Sequence, residues 1–73
     1  MDNREKLFID GIEIRELMTP QQAQIYLRLD RQALYYLIAE NKIPFRMFES
    51  ERRFVRSELD NWLERSVKRG EIG

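Results

Sequence analysis

The sequence predicts a small α+β fold: three helices, a two-stranded hairpin between the second and third, and a short N-terminal hairpin or extended arm. Three observations lead there. Two helix starts, Thr19-Pro20-Gln21-Gln22 and Asp30, follow each other so closely that only Arg28, Leu29 and Asp30 separate the helices they open. Around Glu49-Ser50-Glu51-Arg52, apolar and charged residues alternate as they do in strands. A closing stripe, Leu59, Trp62, Leu63 and Val67, recurs at the helical period.

Composition bounds the rest. A chain of 73 residues has room for one core. Such a chain buries only about 60% of its unfolded surface, so its aromatics carry much of its stability. With 42% apolar and 36% charged residues it reads as a folded domain rather than a disordered one. Cysteine and histidine are absent, which excludes disulfides and zinc sites built from thiolates or imidazoles. No apolar stretch reaches membrane-spanning length, and the charged start Met1-Asp2-Asn3-Arg4-Glu5-Lys6 leads into no secretory segment. Together with the lack of disulfides, this points to the cytoplasm.

Taken in order, Leu7-Phe8-Ile9 and Ile12-Glu13-Ile14 flank Asp10-Gly11, a pair suited to a type I′ turn because both positions need positive φ. In that register Ile9 faces Ile12 and Leu7 faces Ile14, an apolar face expected to lie on the helices. A single extended arm is the alternative. Thr19 caps the first helix, Pro20 takes its first position and Gln22 completes a capping box. Ala23 and Leu27, with Tyr26 beside them, form its buried stripe. Asp30 is placed to accept the amides of Gln32 and Ala33. Leu34, Leu37 and Ile38 face the core, Asn41 suits a left-handed cap, and Pro44 stops the helix. Phe45-Arg46-Met47-Phe48 and Arg53-Phe54-Val55-Arg56 are the two strands, with Phe45 and Met47 on the face that can be buried. Ser57 caps the third helix and Gly70 ends it. Residues 1–16 form the arm or hairpin, and residues 17–69 the helical domain with its hairpin.

The short connection makes the first two helices a helix-turn-helix, whose second helix is able to enter a major groove. That helix presents Arg31, Gln32, Tyr35 and Tyr36 on its exposed faces. Arginine and glutamine match base-edge acceptors and donors, and tyrosine contacts phosphate or an apolar base edge. The following hairpin is a wing, with Arg52, Arg53 and Arg56 at and beside its turn and Arg46 on the facing strand. These guanidinium groups suit phosphates or a narrow minor groove. Glu49 and Glu51 in the same turn equally suit a salt-bridged, solvated surface. The whole chain is neutral, but residues 28–56 carry a net +3, against −2 before them and −1 after.

These motifs resemble the excisionase-type branch of the MerR-like winged-helix superfamily. Ala23 with Tyr26-Leu27 matches the first helix, Asn41-Lys42-Ile43-Pro44 a Gly-Lys-Leu-Pro-like segment, and Arg52-Arg53-Phe54 the end of the wing. Arg56-Ser57-Glu58-Leu59-Asp60-Asn61-Trp62-Leu63 matches the closing motif, the most specific of these. About two thirds of the chain is covered. The resemblance implies a winged helix-turn-helix that binds double-stranded DNA without catalysis, as a small transcriptional regulator or a recombination directionality factor. By position, Arg31, Gln32, Tyr35 and Tyr36 meet the major groove, and Arg52 and Arg53 meet the backbone. Arg28, Lys42 and Arg46 complete the expected DNA-contacting set. The sequence departs from the family at Arg28, where a small residue, commonly glycine, is usual. It departs again at Tyr36, in place of an arginine, and in the wing turn, which lacks glycine and carries Glu49 and Glu51.

An enzyme is a poor alternative, since no histidine can activate a hydroxyl and so short a chain has little room for a cleft. No cofactor is expected, and Glu49 with Glu51 would hold a divalent ion only weakly. The stronger rival is a protein-interaction module that packs a partner or a second copy through Phe8, Tyr35, Tyr36 and Phe48. Self-association or a larger protein partner on DNA is compatible with either reading, and no membrane role is expected. Trp62 reads as a core anchor and Tyr26 as a core residue whose hydroxyl reaches the rim. Phe48 is open between a wing-tip contact, a cover for the hairpin and a partner surface. Arg65-Ser66-Val67-Lys68-Arg69 reads as a basic helix end favoured by the dipole.

Overall fold

A computed structural model describes residues 8–69, with side chains described through Ser66. The expected pairing of Leu7 with Ile14, the place of Val67 in the apolar stripe and the stop at Gly70 lie outside the described residues.

Strands β1 (Phe8–Ile9) and β2 (Ile12–Glu13) form the N-terminal hairpin in the expected register, Phe8 opposite Glu13 and Ile9 opposite Ile12. Asp10 and Gly11 have φ of 52° and 79°, as a type I′ turn requires. The chain then departs from expectation. Ile14 enters a single 3-10 turn (Ile14–Glu16), followed by β3 (Leu17–Met18). The expected apolar face is not laid on the helices, for Ile9 remains 37% and Ile14 40% exposed. It sits instead beside the sheet and the start of the last helix, where Phe8 and Ile12 share a cleft with Val55 and Ser57.

Helix α1 (Pro20–Leu27) opens with the full capping box. The Gln22 amide donates to Thr19 Oγ1 at 3.1 Å, and the Thr19 amide donates to Gln22 Oε1 at 2.9 Å. Helix α2 (Arg31–Ala39) is capped by Asp30, whose carboxylate accepts from the Ala33 amide alone, at 2.7 Å. Both helices end in the same device. A left-handed residue, Arg28 (φ 58°) or Asn41 (φ 59°), turns the chain, and the next amide reaches back to the Gln24 or Leu37 carbonyl.

The wing is tighter than the alternation implied. Strands β4 (Arg46–Phe48) and β5 (Glu51–Val55) pair Phe48 with Glu51, Met47 with Arg52 and Arg46 with Arg53. Only Glu49 and Ser50 remain as the turn, both at positive φ (51° and 70°). The third strand of the sheet is β3, antiparallel to β5 with Leu17 opposite Val55 and Met18 opposite Phe54, in the order β3-β5-β4.

Helix α3 (Arg56–Arg69) follows β5 without a break, so Ser57 lies inside its first turn and does not cap it. Glu16 takes that role across the fold, accepting the Ser57 amide at 3.2 Å and meeting the Arg56 guanidinium at 3.5 Å. The core joins all three helices to β5 through Ala23, Leu34, Ile43, Phe54, Leu59 and Trp62. Each large apolar side chain so buried contributes roughly 1.5–3 kcal/mol. Trp62 is the anchor its position implied, 7% exposed, with its indole N–H donating to the Lys42 carbonyl at 2.6 Å. Two expectations fail here. Met47 is 53% exposed, since it lies toward the wing tip beyond the reach of the core. Tyr26 is 42% exposed, its ring outside the core and its hydroxyl donating to Asp60 at 2.5 Å.

Candidate nucleic-acid interface

Helix α2 owes its two-sided character to spacing. Leu34, Leu37 and Ile38 turn toward α1 and the core, leaving Arg31, Gln32, Tyr35 and Tyr36 exposed. Arg31 stands one helical turn before Tyr35, with its guanidinium carbon 5.9 Å from the ring centre. The Lys42 ammonium lies 5.9 Å from the ring centre of Tyr36. Both cations therefore stand against aromatic faces and have no carboxylate partner among the described residues. Arg31, Gln32 and Tyr35 line one shallow depression on the helix. Arg28, exposed in the turn between α1 and α2, is likewise without a carboxylate partner among the described residues.

The wing arginines are divided by the pleat. Residues directly opposite in an antiparallel pair share a face, so Arg46, Phe48, Glu51 and Arg53 lie on one side of the wing. Met47 and Arg52 lie on the other, with Phe45 and Phe54. The first side looks toward the N-terminal hairpin, where Phe48 and Arg53 line a cleft of about 510 Å³ with Ile9, Asp10 and Leu17. Phe48 is half-buried in the wall of this cleft. On this side the cations are engaged. Arg46 is hydrogen-bonded through two nitrogens to Glu58, and that carboxylate, with Asp10 adding to the field, raises the Arg46 pKa. Arg53 pairs with Glu51 at 2.6 Å and donates to the Arg52 carbonyl at 2.8 Å. On the other side Arg52 lies over the Phe45 ring at 4.9 Å, with no carboxylate partner among the described residues.

The nine residues expected to contact DNA therefore fall into three settings. Arg28, Arg31, Gln32, Tyr35, Tyr36 and Lys42 belong to the helix-turn-helix. Arg52 belongs to the helix side of the wing, and Arg46 and Arg53 to its hairpin side. Arg56, noted beside the wing, meets Glu16. The contributions of Glu16 and Glu58 left no mark in the sequence pattern. Glu16 acts on a residue 41 positions away, beyond any local motif, and Glu58 reads locally as an ordinary first-turn acid.

Three helices, a three-stranded sheet whose last two strands form a wing, and an open second helix define a winged helix-turn-helix protein. The chain belongs to a helix-turn-helix domain family of excisionase-like type, which it matches over residues 17–72. DNA is accordingly its general class of ligand. Comparison with curated proteins and with solved structures gives no significant match. Among the described residues, no helix is long and apolar enough to cross a membrane.

Proposed function

We propose that the protein binds specific duplex DNA sites by placing α2 in a major groove and the wing along the adjacent backbone. It would act as a small transcriptional regulator or a recombination directionality factor. The carrying observation is the outer face of α2. Arg31, Gln32 and Tyr35, three side chains able to address base edges, share one open depression, while Arg28 before the helix and Lys42 after it are exposed and have no carboxylate partner among the described residues. The rival reading, a protein-interaction module, draws on the exposed rings of Tyr35 and Tyr36. Each of those rings stands against a cation, which favours the duplex reading.

Selection of duplexes from a genomic fragment pool at low and high salt tests the reading. One enriched motif that survives the higher salt is the expected result, and its symmetry reports whether one copy or two are bound. Arg31→Ala should then cost about 1–3 kcal/mol on the selected site and relax preference at one base pair. Binding that fades uniformly with salt, with no motif enriched, would transfer the assignment to nonspecific association or protein interaction.

A further inference from the structure

The twin arginines of the wing invite treatment as equivalent phosphate contacts, but their surroundings differ. Arg53 is tied down twice, to the Glu51 carboxylate and to the Arg52 carbonyl, and it faces the N-terminal hairpin. Its facing partner Arg46 is likewise neutralised, by Glu58. Arg52 is the opposite case. It lies on the face that carries Phe45 and Phe54, the face that packs toward the helices. Its guanidinium is stacked at 4.9 Å over Phe45, a ring held edge-on against Phe54 at 6.3 Å. Its Nε is buried without an acceptor, whereas neither terminal nitrogen is both buried and unpartnered, and its guanidinium makes no hydrogen bond or ion pair among the described residues. The stem is fixed and the covered Nε edge closed, so the terminal nitrogens remain for an oxyanion met end-on.

We infer that Arg52 alone among the wing arginines is a phosphate-binding residue, and that Arg46 and Arg53 are structural cations holding the wing to its own carboxylates. This rests on the duplex-binding reading above and assigns, within it, the residue that carries the wing contact. A guanidinium already stacked and unpaired binds a phosphate without first breaking an ion pair, whereas Arg53 would have to leave Glu51 and expose that charge to the same phosphate.

The test is the salt dependence of binding to one fixed duplex by the full chain and its variants. Methionine keeps an unbranched stem over Phe45 and removes the charge. Arg52→Met should lower affinity several-fold and reduce the slope of log K against log salt by about 0.9, the loss of one phosphate contact. Arg53→Met and Arg46→Met should leave that slope unchanged. Arg52→Lys keeps the slope and loses part of the affinity, because the charge survives and the planar fork does not. It also serves if the methionine variant fails to fold. A slope unchanged in Arg52→Met, one reduced in Arg52→Lys, or one reduced equally in Arg53→Met or Arg46→Met, overturns the assignment while leaving duplex binding intact. A wild-type chain with no duplex affinity at any salt overturns both.

Discussion

At the scale of single residues, Arg28 and Tyr26 carry the sharpest consequences. Arg28 holds φ at 58° to close α1, a conformation that glycine adopts without penalty and a side chain with a Cβ does not. The sequence already marked this position as unusual, and the structure shows that positive φ is indeed required. Arg28→Gly should raise the unfolding free energy by about 0.5–1 kcal/mol in urea titration while weakening duplex binding, a trade between backbone ease and charge. Tyr26 donates to Asp60, and that hydrogen bond, followed by desolvation and the Asp60 charge, raises its pKa above the ordinary 10.0. A raised pKa in the folded state means that the contribution to stability is complete below the unfolded value. It is lost as pH climbs through the folded one. Tyr26→Phe should therefore be less stable than wild type near neutrality, with the difference shrinking above pH 10; a constant gap across that range would contradict the assignment. Neither the exposure of Tyr26 nor its partner was legible beforehand, since an aromatic beside Ala23 and Leu27 reads as core until the position of α3 is known.

At the scale of elements, the wing turn is built from residues that do not favour it. Glu49 and Ser50 both take positive φ, where Asn-Gly is the preferred pair for a two-residue hairpin. The double change Glu49→Asn/Ser50→Gly should raise the thermal midpoint by several degrees in a domain of this size. It should also strengthen duplex binding by removing an acid from the wing tip, as anisotropy at low salt would read. The helices of the helix-turn-helix were legible because their signals are local: Thr19, Pro20 and Gln22 open one, Asp30 opens the next, and Asn41 closes it. The wing was legible in kind but not in register, because Glu51 and Arg52 look like turn residues until their pairing with Phe48 and Met47 is seen. Strand β3 was invisible, two residues whose only strand-forming partner lies at Phe54 and Val55. The start of α3 was misread for the same reason, its cap being supplied by Glu16 rather than by a neighbour.

At the scale of the whole molecule, zero net charge and a neutralised hairpin side leave few cations for DNA. Among the described residues of the helix-turn-helix and the wing, Arg28, Lys42 and Arg52 are the candidates for phosphate contact that have no carboxylate partner, once Arg31 is assigned to a base edge. Titration of a duplex against potassium chloride should accordingly give a log–log slope near −3, each phosphate contributing about −0.9. A slope beyond about −6 would mean that the paired arginines are also recruited. The contact of Glu16 with Arg56 and Ser57, and of β3 with β5, bears on synthesis as well as on stability. As the chain leaves the ribosome, Leu17 and Met18 emerge long before the strand that pairs with them, and Glu16 before the helix it caps. The sheet edge therefore stays open, and the two helices of the motif lack most of their core, until Phe54, Leu59 and Trp62 have been made. Nascent chains halted ahead of β5 should be protease-sensitive throughout, and the molecule should acquire its fold late and in one step.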